Sequence, residues 1–95
     1  MRPEVNEREL LVVPRFKVLG FLCQVEEADY PALVEFTELS IPDISRSVGY
    51  LADRGLVQVR KERTGRVAHT IVRATPDGIR EFRALLEGLR KYGLS

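Results

Sequence analysis

The chain has 95 residues, enough for one domain and too few for two independent cores. Hydrophobic residues make up 44% of it, as in ordinary globular proteins, and proline and charged residues interrupt its longest apolar stretches, so we expect no membrane span. The first residues lack the apolar core of a secretory signal, and a single cysteine, Cys23, cannot form an internal disulfide, so we expect a cytoplasmic protein.

The charges are unevenly distributed, although they nearly cancel to a net charge of +1. Residues 1–53 carry 5 basic and 10 acidic side chains, residues 54–73 carry 6 and 1, and residues 74–95 carry 4 and 3. The basic residues of the middle segment are Arg54, Arg60, Lys61, Arg63, Arg66 and Arg73. Such a cluster would attract a polyanion, whereas the acidic first half argues against wholesale wrapping of nucleic acid.

Residues 1–13 are predicted to be an arm or a dimerisation segment with one helical turn, for which Asn6 and Glu9 have the spacing of a capping box. Pro14 then restarts the chain in a helix from about Arg15 to Val25. Its two apolar stripes are Phe16, Leu19, Leu22 and Cys23 on one side and Val18, Phe21 and Val25 on the other. A helix of this kind is covered on both sides, and one cover could be a partner subunit.

Two short helices are predicted next. Asp29 can cap the first, with Pro31 in its first turn and with Leu33, Phe36 and Thr37 on its inward side. Ser40 is the predicted cap of the second, and Asp43 would be favoured near the positive end of its dipole. Gly55 is its predicted stop.

The second of these helices, at about residues 42–54, has an apolar and a polar side. Ile44, Val48 and Leu51 recur at the spacing of a buried stripe. The faces away from the core would carry Asp43, Arg46, Ser47, Tyr50 and Arg54. Two short capped helices joined by a break of three to four residues are typical of a helix-turn-helix, whose second helix enters the DNA major groove.

After Gly55 the apolar period changes from helical to alternating, which predicts a β-hairpin with Thr64-Gly65 at its turn and its return strand over residues 67–74. A final helix, at about residues 76–92, begins at the Thr75 cap. Its apolar stripe is Ile79, Phe82, Leu85, Leu86 and Leu89, which would bury against the body, a second subunit, or both.

Three blocks of the sequence resemble winged-helix transcription regulators, especially the small MarR-like and ArsR-like proteins. They are Arg15-Phe16-x-Val18-Leu19-x-x-Leu22, Ile44-Ser45-Arg46-Ser47-Val48-x-x-Leu51-x-x-x-Gly55-Leu56-Val57 and Ala74-Thr75-Pro76-Asp77-Gly78. The resemblance spans residues from about 9 to 89. It implies an α+β, mainly α, winged helix-turn-helix fold with a three-helix core, a β-hairpin wing at about residues 60–70 and a C-terminal helix, as one domain over residues 1–95.

The same resemblance implies a homodimer that binds an inverted-repeat operator in double-stranded DNA and represses transcription until a signal relieves it. Only some fourteen residues precede the first core helix, whereas larger MarR-like regulators have long helices at both ends. The sequence therefore does not predict a built-in small-molecule pocket, and the question of an effector stays open. The expected dimer interface consists of Leu10, Leu11, Phe21, Val25, Phe82, Leu85, Leu86 and Leu89.

The expected DNA contacts divide by role. Hydroxyl and guanidinium groups of Ser45, Arg46, Ser47 and Tyr50 would approach base edges or adjacent phosphates. Arg66 at the wing tip would enter a narrow minor groove, while Arg60, Lys61 and Arg63 hold phosphates. The full predicted set is Ser40, Asp43, Ser45, Arg46, Ser47, Tyr50, Arg54, Arg60, Lys61, Arg63, Thr64, Gly65 and Arg66.

Several of these side chains have a second interpretation. Arg54 and Arg73 could be solvated or paired with Asp53 and Glu62, and Tyr50 could pack against the wing instead of DNA. Cys23 is better explained as a small buried hydrophobe than as a redox sensor, and His69 as a residue of the wing surface. One cysteine and one histidine are too few for a metal sensor, so no metal or cofactor is expected.

The sequence contains no nucleophile elbow, phosphate-binding glycine loop or metal-ligand spacing, so we do not expect an enzyme. The alternative from another functional class is a winged helix that serves as a protein-interaction module. The basic hairpin and the small hydroxyl residues favour DNA, because a protein interface would instead expose aromatic or aliphatic side chains.

Overall fold

Helices and strands alternate along residues 7–93, the part of the chain that this computed structural model describes. In chain order the elements are α1 (Glu7–Leu10), α2 (Val13–Leu22), β1 (Ala28–Asp29), α3 (Tyr30–Thr37), α4 (Ile41–Asp53), β2 (Val57–Thr64), β3 (Val67–Ala74) and α5 (Pro76–Arg90). Helices α2, α3 and α4 form the three-helix core, and β2 and β3 form the hairpin, so the predicted fold class is confirmed.

The two N-terminal helices differ from the prediction in their bounds. Asn6, the proposed cap of the first turn, lies outside the described residues, and α1 ends at Leu10. Helix α2 begins at Val13, with Pro14 inside its first turn, where the missing N–H of proline costs no hydrogen bond. It ends at Leu22 rather than Val25, because the chain turns there to bring Ala28 into a strand pair with Val72.

Side-chain caps fix the starts of the next two helices as predicted. The Asp29 carboxylate accepts a hydrogen bond from the Ala32 N–H at 3.0 Å, and the Ser40 hydroxyl accepts one from the Asp43 N–H at 3.2 Å. At the end of α4, Gly55 has a φ of +73°, the left-handed conformation that a glycine stop supplies.

Within α3 the prediction of the inward side is correct for Leu33 and Thr37 and wrong for Phe36. Leu33 and Thr37 are buried, and the Thr37 hydroxyl donates to the Leu33 carbonyl oxygen at 2.6 Å. The Phe36 side chain is 58% exposed, because its ring packs outside the core against Phe21, with ring centroids 4.3 Å apart.

The sheet has three antiparallel strands in the order β1-β3-β2. The hairpin register pairs Thr64 with Val67, which leaves Gly65 and Arg66 as a two-residue loop. Gly65 has a φ of +62°, as the first loop position of a type II′ turn requires. The two-residue strand β1 was not predicted, since it is too short to show an alternating pattern.

One hydrophobic core joins all of these elements. Its largest fully buried side chains are Leu10, Leu19, Leu22, Leu33, Ile44, Leu51, Leu56, Val18 and Val72. The predicted stripe of α4, Ile44, Val48 and Leu51, is buried as expected. Helix α5 closes the core with Phe82 and Leu85, and the Phe82 ring lies 5.3 Å from that of Phe16. No helix in residues 7–93 has the length and apolarity needed to cross a bilayer.

Candidate nucleic-acid interface

Helix α4 turns one polar face away from the core. Ser45, Arg46, Gly49 and Asp53 are exposed on it, opposite the buried stripe. The Arg46 side chain is 73% exposed and forms an ion pair with Asp43 one turn earlier. Two of the residues expected to read DNA, Ser45 and Arg46, therefore lie where a partner could reach them, and Arg46 would exchange a carboxylate for that partner.

Ser47 is a correction to the sequence-based assignment. We expected it on a face away from the core, but its exposure is only 4%. Residues three apart lie about 60° apart around an α-helix, so Ser47 falls beside Ile44 on the side where α2 packs. The buried arc of α4 is wider than the stripe of three apolar residues suggested, and a buried hydroxyl cannot contact a base.

Tyr50 contacts neither the wing nor open solvent with its ring faces, because two arginines cover it. The Arg15 guanidinium carbon lies 3.6 Å from the ring centroid, and that of Arg54 lies 4.9 Å from it. Both distances are within the range of cation–π attraction. Tyr50 is half-buried as a result, and it joins the C-terminal turn of α4 to the first turn of α2.

Arg54 pairs with Glu9 of α1 and not with Asp53, the partner considered from the sequence. Its Nη2 atom lies 3.8 Å from Glu9 Oε1, while Arg15 Nη1 donates to the backbone oxygen of Glu9 at 3.0 Å. Tyr50 and then Glu9 raise the pKa of Arg54 above its ordinary value. Sequence reasoning missed Arg15 and Glu9, whose roles depend on contacts between residues distant in the chain.

The hairpin register sorts the wing cations onto two faces. Lys61 and Arg63 lie on the face that continues from the helical core, because they alternate with Val57, which is buried in it. Arg60 and Glu62 lie on the opposite face. The Lys61 ammonium donates to the Thr70 hydroxyl across the strand pair at 2.8 Å.

Arg60 is held by two carboxylates. Its Nη1 and Nη2 atoms each donate to a Glu27 oxygen at 2.8 Å, and Nη2 also donates to Glu62 at 2.6 Å. The Glu27 hydrogen bond, followed by that of Glu62, raises the pKa of Arg60, and the same Arg60 bond chiefly lowers the pKa of Glu27. Arg60 thus ties β2 to the segment before β1. Its donors are already engaged, which corrects the expectation of a free phosphate-binding group.

The wing tip presents cations without such partners. Arg63, Thr64, Gly65 and Arg66 are exposed, and within residues 7–93 no ion pair involves Arg63 or Arg66. Of the four basic wing residues assigned to DNA, Lys61, Arg63 and Arg66 therefore remain open to a polyanion. Arg73 is exposed on the outer face, and Glu62 pairs with Arg60 instead of with it.

Cys23 and His69 have no special geometry. Cys23 is half-buried against the core, and burial raises the pKa of its thiol, which reduces its reactivity. His69 lies half-buried on β3, opposite Glu62. Among the described residues no group of three or more histidine, cysteine, aspartate or glutamate side chains is arranged to hold a metal ion.

The predicted dimer residues fall into two groups. Leu10, Phe82 and Leu85 are buried in the chain's own core, so the expectation that they face a partner is wrong. Intrachain packing has taken that role, because α1 and α5 lie against each other and against α2. The residues that keep exposed or partly exposed apolar surface are Leu11, Phe21, Val25, Leu86 and Leu89, with Val12 and Val13 beside Leu11.

Solved structures share this architecture. A transcriptional regulator homologue from Pyrococcus horikoshii OT3 superposes with a TM-score of 0.80 and 23% identity, covering 87% of this chain and 82% of that one. The PcaV transcriptional regulator of Streptomyces coelicolor gives 0.71 and 28% identity, over 85% of this chain and 55% of PcaV. A MarR-family transcriptional regulator from Silicibacter pomeroyi gives 0.71 and 22%, over 92% and 60%.

The chain thus spans just over half the length of PcaV and most of the P. horikoshii protein. No curated protein sequence is similar enough to count as a relative. The model of the winged helix DNA-binding domain family matches residues 14–92, from the first turn of α2 to just beyond α5. The match includes the helix-turn-helix, the wing and the closing helix, and so the chain belongs to the family of winged helix DNA-binding domains.

Proposed function

We propose that the protein is a dimeric transcriptional regulator, acting in the cytoplasm as a repressor on inverted-repeat DNA. The observation that supports this most directly is the division of charge on the wing. Two carboxylates neutralise Arg60 on the outer face, whereas Lys61 and Arg63 on the inner face and Arg66 at the tip carry no carboxylate partner in the described chain. Cations kept unpaired on one face are suited to duplex phosphates.

In this proposal, α4 enters the major groove with its exposed face. Ser45 and Arg46 approach base edges or adjacent phosphates, and Arg46 leaves Asp43 to do so. Lys61 and Arg63 contact phosphates next to the groove, and Arg66 reaches the minor groove. Two copies related by a two-fold axis would place their recognition helices about 34 Å apart, in successive major grooves.

The relatives support regulation by transcription control. PcaV was solved with its natural ligand, and its resemblance to this chain covers the DNA-binding half of the shared architecture. This chain has a groove of about 280 Å³ between α2, α3 and α5, lined by Phe16, Phe21, Phe36 and Phe82 among others. The proposal leaves repression independent of any ligand in that groove.

The test is a titration of duplex binding against salt. For a mixed-sequence 30-base-pair duplex, we expect Arg63→Gln to lower the slope of log K against log salt by about 0.9, the value for one phosphate contact. Arg90→Gln is the matched control, because it removes one charge from α5, where Arg90 pairs with Glu87. Selection of bound genomic fragments then gives the operator.

Two results would contradict the proposal. A wild-type protein that does not bind duplex DNA at low salt would favour the alternative of a protein-interaction module. Equal slopes for the wild type, Arg63→Gln and Arg90→Gln would remove the wing from the interface.

A further inference from the structure

We propose that Glu9 competes with DNA phosphates for Arg54, so that the N-terminal helix α1 limits the positive charge that the recognition helix offers to DNA. This inference rests on the proposed function and adds a regulatory contact to it. Glu9 and Arg54 are 45 positions apart in the sequence, but the fold places their charged groups 3.8 Å apart.

The first step concerns what holds Arg54 in place. Arg54 is the C-cap residue of α4, and its guanidinium lies against the ring of Tyr50, one turn earlier in the same helix. This contact lies within α4 and does not depend on α1. Arg54 therefore keeps an ordered position whether or not Glu9 is beside it.

The second step concerns the local balance of charge. Arg15 lies on the same tyrosine ring, so two guanidinium groups share one aromatic side chain. Arg15 bonds to the backbone oxygen of Glu9, while the carboxylate of Glu9 pairs with Arg54. A single acidic side chain thus offsets a site with two positive charges, and its removal would leave a stronger attraction for a polyanion.

The third step concerns exchange. A separation of 3.8 Å is at the long end of ion pairing and is too long for a hydrogen bond. The Arg54 side chain is 37% exposed, so an incoming phosphate can reach it. Phosphate oxygens can accept two hydrogen bonds from one guanidinium, which makes them better partners than the distant carboxylate.

The experiment measures binding of a mixed-sequence 30-base-pair duplex to the full chain over a range of salt concentrations. We expect Glu9→Gln to bind about two- to fivefold more tightly at low salt, the range for an exposed ion pair. The slope should steepen by up to about 0.9, as expected for one additional phosphate contact. In the double variant with Arg54→Gln, both gains should disappear.

Glu87→Gln is the matched control, since Glu87 also pairs with an arginine and its replacement changes the net charge equally. It should leave the slope at the wild-type value. Glu9→Asp provides a second variant that keeps the negative charge but shortens its reach, and it should fall between the wild type and Glu9→Gln. Thermal unfolding of each variant identifies those that are folded at the assay temperature.

The inference is overturned if Glu9→Gln has the slope of the wild type, or if its gain persists without Arg54. In either case the wild type still binds duplex DNA, and the effect of Arg63→Gln still reports on the wing. Absence of any binding by the wild type would instead contradict the proposed function itself.

Discussion

Gly78 is buried near the start of α5, where the helix approaches the chain that follows α4. A Cβ atom at this position would lie 2.0 Å from the carbonyl oxygen of Leu56. That oxygen already accepts the Thr75 N–H at 3.0 Å, and the Thr75 hydroxyl both accepts from the Gly78 N–H and donates to the Gly55 oxygen. The cap of α5 and the end of α4 are therefore joined at one point that has no room for a side chain.

Gly78→Ala should destabilise the fold by about 1–3 kcal/mol, the usual cost of overpacking, because the opposing atom belongs to the backbone and cannot move away alone. Gly49→Ala is the matched control. Gly49 lies inside α4 with open space at its Cβ position, so alanine there should stabilise the protein by about 0.5–1 kcal/mol. Urea unfolding followed by circular dichroism measures both. A Gly78→Ala protein as stable as the wild type would contradict the close approach.

At the scale of elements, the sequence predicts what short-range chemistry determines. The caps at Asp29, Ser40 and Thr75 are confirmed, since each depends on a side chain and a backbone N–H three residues later. The hairpin turn at Gly65 follows from local patterns in the same way. These signals were sufficient to predict the winged helix.

The features that the sequence did not predict depend on which elements meet. Strand β1 exists because Ala28 pairs with Val72, and Arg60 is neutralised by Glu27, 33 positions away. Ser47 is buried because α2 covers that side of α4, which the spacing of apolar residues in α4 alone cannot show. For the candidate site, the chemistry of the residues was thus predictable, but their pairing was not.

The Glu27–Arg60 pair should make the base of the wing sensitive to acid. The pKa of Glu27 is lowered from its ordinary value of 4.5, so the unfolded chain binds a proton there more readily than the folded protein does. The pair therefore adds stability above pH 4.5, and this contribution is lost as the pH falls through the lower pKa of the folded state.

We expect Glu27→Gln to lower the melting temperature near pH 7 and to have a shrinking effect as the pH falls below about 4. Glu35→Gln, on the exposed surface of α3, controls for the loss of a carboxylate and should change little at either pH. Thermal unfolding in a series of buffers measures both variants. A Glu27→Gln effect that stays constant with pH would show that the ion pair does not stabilise the wing.

At the scale of the whole molecule, the exposed apolar surface indicates how a second copy could bind. A chain of 95 residues buries only about 60–65% of its unfolded surface, so pairing adds to a small core. Leu11, Val12 and Val13 are exposed where α1 meets α2, and Leu86 is exposed on α5, against which α1 packs. These residues form the part of the expected dimer interface that intrachain packing leaves accessible.

Light scattering at micromolar concentration should therefore give twice the chain mass of 10.8 kDa. Leu86→Glu should shift the protein toward the monomer, because a charge in an isologous interface is buried twice, once on each side of the two-fold axis. Val67→Glu adds the same charge to an exposed apolar residue of the wing and should leave the dimer intact. If the Leu86→Glu protein loses the dimer and its duplex affinity together while Val67→Glu keeps the dimer, α5 couples assembly to DNA binding. A wild-type monomer, or a dimer that survives Leu86→Glu, would exclude this surface and with it the proposed spacing of the two recognition helices.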